Sequence, residues 1–215
     1  MIVTPLPPHL LTRTFPSGCP PMPLTPTPPP PAAPSRRILG LDPGLQTTGY
    51  GVLEPGPHGP RVCEAGVIRS AAERAETDMS RRVRLLYDGL LEVLDQWRPA
   101  VVAVEQLFAH YDHPRTAVLM AHARGVYLLA AAQRGIPVLS YAPARVKKTV
   151  TGHGRATKEQ MQAAVARELG LAKPPEPHDV ADALAIALCH YHRTAVAGIG
   201  TGVNRERLFG PDEAA

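Results

Sequence analysis

The sequence of 215 residues has few cysteines and no long hydrophobic run, and both absences limit what the protein can be. Its three cysteines, Cys19, Cys63 and Cys189, are far apart and form no CxxC pair, which predicts neither a disulfide framework nor a zinc site. No segment approaches the ~18 to 20 consecutive apolar residues of a membrane-spanning helix. The N-terminus also lacks the charged start and apolar run of a signal peptide. We therefore expect a cytoplasmic protein without a membrane anchor.

Acidic residues are absent from the first 35 positions, where 13 of the 25 prolines of the chain lie. Proline fixes φ and provides no backbone donor, so residues 1–35 are predicted to be a disordered, Pro-rich tail. Residues 194–215 lose helical periodicity and contain glycine and proline, which predicts a flexible C-terminal tail. One folded domain is predicted between them, at residues 36–193.

The central segment contains short apolar runs first and longer periodic runs later. Three short runs separated by glycine and proline predict antiparallel strands at 36–42, 48–54 and 61–69. Two more apolar runs predict strands at 100–105 and 136–141. Helical periodicity and capping signals predict helices at 77–97, 114–134, 143–150, 157–169 and 178–193. This order predicts an α/β fold, a mixed five-stranded sheet whose first three strands are antiparallel, with helices on both faces.

Four carboxylates are candidates for one site on this fold. Asp42 ends the first predicted strand and Glu105 ends the fourth, so both side chains emerge at one sheet edge if the strands are neighbours. Asp179 and Asp182 are three residues apart on the last predicted helix and share one face. Singly, each has an ordinary explanation, Asp42 as a turn opener, Glu105 as the end of a strand and Asp179 as a helix cap, and this explanation is favoured for all but Glu105. Together they favour a cation site, because two carboxylates about 4 Å apart repel each other by roughly 4 kcal/mol.

The chemistry of these side chains indicates which ion they bind. Oxygen ligands suit Mg²⁺ or Mn²⁺ and not zinc. Two such ions can activate a water and stabilise the leaving oxygen when a phosphodiester is cleaved, so the sequence predicts a nuclease with two ions per active site. His190 and His192, near the end of the last predicted helix, have no third ligand in view and are interpreted as surface residues.

A basic segment without acidic residues lies between positions 145 and 158. Its charged side chains are Arg145, Lys147, Lys148, Arg155 and Lys158. A solvated helix face usually mixes both signs of charge, so this segment favours a surface that binds DNA phosphates and loses affinity steeply with salt.

Phe108 lies three residues after Glu105, in a predicted loop. Stacking of an aromatic ring on an unpaired base contributes roughly 1 to 3 kcal/mol, which would help to hold a distorted DNA segment open. The alternative is that Phe108 anchors the loop in the core.

The predicted helix at 114–134 is apolar on almost every side. One sheet cannot cover all of these side chains, so a second buried face, and with it a two-fold dimer, is predicted. The alternative is that other helices of the same chain cover this face.

Five ordered blocks resemble the RuvC family of Holliday-junction resolvases. They are "LGLDPGLQTTGYGV", "VAVEQLF", "HARGV", "ARVKKTVTGHGRATKEQM" and "DVADALAIAL". The resemblance spans about residues 37–193 and implies a ribonuclease H-like fold. It also implies a homodimeric endonuclease that uses Mg²⁺ or Mn²⁺ to nick two opposed strands of a four-way DNA junction, leaving ends that a ligase can seal. A branch-migration helicase complex is a further implied partner.

The same resemblance implies which residues form the active site. The catalytic and metal-binding carboxylates are Asp42, Glu105, Asp179 and Asp182, the active-site lysines are Lys147 and Lys158, and Phe108 stacks on a base. Some members of the family have histidine at the first helix position. Here His178 precedes Asp179, and Asp179 keeps the three-residue spacing to Asp182, so Asp179 is the predicted ligand and His178 a further candidate.

Three other functions share part of this pattern. A ribonuclease H-type nuclease acting on RNA/DNA hybrid would use the same acids. A protein that binds junctions without cleaving them would not need the acids for binding. An actin-like ATPase also begins with an Asp-Gly strand turn, but it needs two large lobes, for which this chain is too short.

Overall fold

The computed structural model describes residues 35–70, 78–107 and 114–198. The strands are β1 (Ile38–Asp42), β2 (Thr47–Gly56), β3 (Gly59–Arg69), β4 (Val101–Glu105) and β5 (Val138–Tyr141). The helices are α1 (Met79–Trp97), α2 (Pro114–Gln133), α3 (Pro143–Thr151), α4 (Lys158–Glu168) and α5 (His178–Gly198). The predicted elements are confirmed, except that α5 continues past its predicted end at residue 193. The extension is consistent with the high helix propensity of alanine, which occupies two of the added positions.

The five strands form one mixed sheet in the order β3-β2-β1-β4-β5. The first three strands are antiparallel neighbours, and β4 and β5 are parallel to β1. Parallel neighbours require crossover connections, which α1 and α2 provide between β3 and β4 and between β4 and β5. The predicted mixed sheet is therefore confirmed.

Helices cover both faces of the sheet, and the alternation of strand side chains decides which residue faces which layer. Leu41 and Val104 belong to the core beneath α1 and α2, whereas Ala103 belongs to the core beneath α3, α4 and α5. Continued to the strand ends, this alternation directs Asp42 and Glu105 to the face that α5 covers.

Two local signals fix the ends of the helices around this face. Thr157 caps α4 by accepting from the backbone N–H of Gln160, whose side chain accepts from the backbone N–H of Thr157, so the capping box predicted by the sequence is present. Gly170 follows α4 with a φ of 62°, a conformation in which glycine ends helices without strain.

His190 lies inside the fold, so its interpretation as a surface residue was wrong. Only 6% of the residue is exposed, and its Nδ1 lies 2.6 Å from the hydroxyl of Tyr141. Burial lowers the pKa of His190 to about 4. His192 is partly exposed and contacts the carboxylate of Glu168. In the part of the chain that the structure describes, no helix is long and apolar enough to cross a membrane.

Candidate active site

Helix α5 lies very close to the sheet because glycines lie beneath it. A Cβ atom on Gly40 of β1 would lie 2.1 Å from the carbonyl oxygen of Ala183. On Gly49, the cross-strand partner of Asp42, it would lie 1.9 Å from the carbonyl oxygen of Asp179. Any other residue at these positions would force the helix away from the strands. The glycines therefore set the height of the acidic start of α5 above the sheet.

Asp42 and Glu105 lie at the same end of neighbouring parallel strands. Leu41 pairs with Val104, and the two acids are the next residues of β1 and β4. Both carboxylates are half-buried and face the layer of α5. The structure thus places together the two strand acids that the sequence singled out.

Asp42 is the acid whose protonation the fold changes most. Burial raises its pKa, and the carboxylates of Glu105, Asp182 and Asp179 raise it further, to about 8, against the opposing charge of Lys158. The carboxylates of Glu105, Asp182 and Asp179 therefore lie close enough to Asp42 for their charges to act on it. Asp42 therefore holds a proton at neutral pH unless another positive charge reaches the cluster.

Glu105 and Asp182 have raised pKa values for the same reasons. Burial is the largest cause for both. The charge of Asp182 adds to the rise at Glu105, and Lys147 opposes it. At Asp182, Lys158 opposes the rise while Asp179 increases it. The lysines therefore lie close enough to the acids to offset part of their repulsion.

A cleft of about 200 Å³ opens between these groups. Its charged lining consists of the carboxylates of Glu105 and Asp182 and the ammonium groups of Lys147 and Lys158. Its apolar walls are Pro143, Val146, Met161 and Ile186. A cleft lined by both carboxylates and ammonium groups can hold a cation and a phosphate at once.

The carboxylates do not form a finished metal cage. Within the described ranges, no three His, Cys, Asp or Glu side chains are arranged to hold one ion together. Their chemistry nevertheless fits Mg²⁺ or Mn²⁺, because the four main predicted ligands are carboxylates, and burial together with their mutual repulsion disfavours the charged form of Asp42 until a cation is bound. The residues therefore fit such an ion in type.

The other predicted site residues lie around the cleft or outside the residues that the structure describes. Arg145 lies near Cys189, where it opposes the rise in the thiol pKa that burial causes, and it does not line the cleft. Lys148, Arg155 and His178 are exposed. Phe108 lies outside the described residues.

Sequence reasoning did not single out the glycines as part of the site. The signal was present, since Gly49 and Gly51 lie two residues apart in β2 and therefore face the same side of the sheet. A Cβ on Gly51 would lie 2.6 Å from the side chain of Leu184 on α5. Glycine repeated on one face of a strand indicates that another element approaches closely, which is its role here.

Comparison with known proteins decides which family this site belongs to. The family model described as crossover junction endodeoxyribonuclease RuvC matches residues 38–190. The chain belongs to the RuvC family. A protein named crossover junction endodeoxyribonuclease RuvC from Rhodopirellula baltica is 56% identical over 157 residues, which cover 72% of this chain and 85% of that protein. A RuvC of the same name from Leifsonia xyli is 44% identical and covers 77% of this chain and 78% of its own length.

A solved structure supports the same assignment. Thermus thermophilus RuvC in complex with its Holliday junction substrate is 36% identical, with a TM-score of 0.69. The match covers 75% of this chain and 96% of that one. The family expected from the five sequence blocks is confirmed, and the mixed α/β sheet is the ribonuclease H-like fold of RuvC.

Proposed function

We propose that the chain is a divalent-metal-dependent endonuclease that resolves four-way DNA junctions by paired, symmetric nicks in homologous recombination and DNA repair. The observation that carries the proposal is the position of Asp42 and Glu105 on adjacent strand ends, beside Asp182 and a cleft that also contains two lysines. Relatives up to 56% identical have the name of this activity.

The carboxylates of Asp42, Glu105, Asp179 and Asp182 would hold Mg²⁺ or Mn²⁺, two ions in each active site. Bound ions supply the positive charge that activates water and stabilises the leaving oxygen during phosphodiester hydrolysis. Because its pKa is about 8 without an ion, Asp42 gives up a proton when it becomes a ligand. Ion binding, and not the cleavage step itself, would then be coupled to proton release at this side chain.

Lys147 and Lys158 act on the phosphate side of the cleft. Both line it, so their ammonium groups can donate to phosphate oxygens and stabilise the charge that develops on them. The exposed side chains of Lys148 and Arg155 extend the basic surface beyond the cleft. In this proposal they bind the backbone of the junction arms, with Arg145 at the margin and Phe108 stacking on an unpaired base.

The proposal is tested by offering the full-length protein a choice of substrates and ions. A labelled four-way junction, the matching linear duplex and an RNA/DNA hybrid are incubated with Mg²⁺, Mn²⁺, Ca²⁺ or EDTA. We expect nicks in two opposed strands of the junction with Mg²⁺ or Mn²⁺, and none with EDTA. Preferred cleavage of the hybrid would identify a ribonuclease H-type enzyme, and binding without cleavage under every condition would identify a non-catalytic junction-binding protein.

The exposed face of α2 supports a homodimer. Val118 and Leu129 are 56% and 53% exposed, and Gly125 between them has open space above its Cα atom. Gly125 and Leu129 lie seven and eleven positions after Val118, which is close to two and three whole helical turns, so the three residues form one stripe. Ala123 and Tyr127 on the opposite face are buried. A largely apolar stripe, in which the exposed His122 lies between Val118 and Gly125, suits close contact with a second copy of the helix, which would give the two sites that a two-fold junction needs.

Leu129→Glu is expected to weaken the dimer at least about 100-fold, because two-fold symmetry would bury two unpaired charges at once. Sedimentation at micromolar concentration measures the change. Ala172→Glu adds the same charge at an exposed position between α4 and α5 and should leave a dimer. A wild-type protein that sediments as a monomer would contradict the proposed assembly.

Two finer statements about this protein stay predictions. One is the partnership with a branch-migration helicase complex, which the family resemblance implies. The other is a cytoplasmic location.

A further inference from the structure

The turn that follows Asp42 is closed by a side chain of the next strand. Residues 43–46 connect β1 to β2. The backbone N–H of Gly44 donates to Oγ1 of Thr48 at 3.2 Å, and the hydroxyl of Thr48 donates to the carbonyl oxygen of Gly44 at 2.8 Å. Thr48 thus bonds with both backbone polar groups of Gly44, which lies two positions after Asp42.

The same hydroxyl is held from the far side by a helix. The hydroxyl of Tyr127 on α2 lies 2.5 Å from Oγ1 of Thr48. A threonine hydroxyl has one proton and can accept two hydrogen bonds. Because that proton goes to Gly44, Tyr127 must be the donor, and the capacity of the threonine oxygen is then fully used. Both residues are buried, at 0% and 2% exposure, so water cannot replace either partner.

A second pair holds the next part of the turn. The hydroxyl of Ser70 donates to the carbonyl oxygen of Leu45 at 2.5 Å, and Nη2 of Arg82 donates to the same oxygen at 3.2 Å. The turn is therefore fixed at two successive residues by groups from three other segments. Such contacts restrict the end of β1, and with it Asp42, to one position.

We propose that Thr48 and Tyr127 are positioning residues that hold Asp42 where it meets the other carboxylates. Neither touches substrate, and both act through the backbone of the turn. Residues that orient a ligand in this way typically change metal affinity or activity 10- to 100-fold when they are removed. The inference rests on the proposed function, because it takes Asp42 as a metal ligand.

Four variants of the full-length protein separate positioning from packing. Tyr127→Phe removes the donor and keeps the ring. Thr48→Val removes the hydroxyl at similar volume, and Thr48→Ser restores it. Tyr87→Phe is the matched control, since Tyr87 also joins α1 to α2 through a hydroxyl, by donating to Gln133, but it does not reach the turn.

Two measurements are made on each variant, one of them without DNA. Free Mn²⁺ counted by electron paramagnetic resonance gives the metal affinity, and cleavage at saturating junction gives kcat. We expect Tyr127→Phe and Thr48→Val each to weaken Mn²⁺ affinity about 10-fold and to lower kcat at least as much, with junction affinity unchanged. Thr48→Ser and Tyr87→Phe should stay within about twofold of wild type in both measurements. The double variant Thr48→Val/Tyr127→Phe should lose no more Mn²⁺ affinity or kcat than either single variant, because each substitution already breaks the same hydrogen-bonded pair.

The outcomes distinguish this inference from the proposed function. Should Tyr127→Phe lower the melting temperature while Mn²⁺ affinity and kcat stay at wild-type values, the pair only packs the core and the inference is overturned. Additive losses in the double variant would overturn it as well. A wild-type protein that binds Mn²⁺ but cuts no DNA refutes the nuclease alone, since the Mn²⁺ titration still tests the positioning. A wild-type protein without Mn²⁺ affinity refutes both.

Discussion

Substituting Asp42 with asparagine is expected to reduce junction cleavage about 10³-fold, a loss of about 4 kcal/mol in transition-state stabilisation, while junction affinity stays within about threefold of wild type. The amide keeps the size of the side chain but removes the charge that holds a divalent ion. Affinity is preserved because DNA binding depends on basic side chains outside the acidic cluster. Cleavage rates under single-turnover conditions and binding in Ca²⁺ separate the two effects.

Asp88→Asn is the matched control for this substitution. Asp88 is exposed on α1, which packs on the sheet face opposite α5, and it pairs with Arg84 four residues before it. Its amide variant should cleave at the wild-type rate. If Asp42→Asn keeps cleavage within tenfold of wild type, the carboxylates do not hold the catalytic ions and the metal-site proposal fails.

The same substitution is expected to change how stability depends on pH in EDTA. The pKa of Asp42 rises from 3.8 to about 8 on folding, so between these values the native state binds a proton that the unfolded chain has lost. The free energy of unfolding should therefore fall as the pH rises from 6.5 to 8, by up to about 1.4 kcal/mol per pH unit. His190 contributes only below this window, because its pKa falls from 6.5 to about 4 on folding. Urea unfolding of Asp42→Asn should lack the slope, and a slope equal to that of wild type would assign it to other groups.

The second large effect is expected from adding one methyl group beneath α5. Gly49→Ala places a Cβ atom 1.9 Å from the carbonyl oxygen of Asp179, a contact that backbone cannot relieve without moving the helix. Overpacking of this kind costs about 1–3 kcal/mol or more. The movement also lifts Asp179 away from Asp42, so cleavage should fall more than stability alone explains.

Gly154→Ala is the control for this second prediction. Its Cβ atom would meet the nearest atom, the carbonyl oxygen of Ala144, at 3.4 Å, which is ordinary van der Waals contact. Alanine at an unstrained glycine position is expected to be neutral or to stabilise by about 0.4–1 kcal/mol through the unfolded state. Urea unfolding compares the two variants, and cleavage by Gly49→Ala is compared with that of the wild type under conditions in which both are fully folded. Equal stability of Gly49→Ala and wild type would show that α5 can shift freely over the sheet.

Local signals in the sequence were sufficient for the sheet and for two of the four acids. Short apolar runs bounded by glycine and proline predicted where β1 and β4 end. The parallel pairing of these strands then places Asp42 beside Glu105. The spacing of Asp179 and Asp182 predicted a shared helix face. It did not predict how close that face lies to the strands, because the distance depends on glycines in β1 and β2.

Contacts between distant segments were not predictable from the sequence. Tyr127 is one of many apolar residues in the periodic pattern of α2, and its hydroxyl bonds with a residue 79 positions earlier. His190 was misinterpreted for the same reason, since its buried partner Tyr141 belongs to another element. Periodicity shows that a residue faces inward but not which polar group it will meet there.

Helix α2 makes contacts on two sides, because Tyr127 bonds with Thr48 at the turn after Asp42 while Val118 and Leu129 face outward. A rigid helix passes a tilt or a shift on one side to the other over a few ångströms. Random mutagenesis for loss of resolvase activity should therefore return pleiotropic alleles in α2, in which a single change alters both the oligomer and the chemistry. Such alleles would map to neither a DNA contact nor a metal ligand.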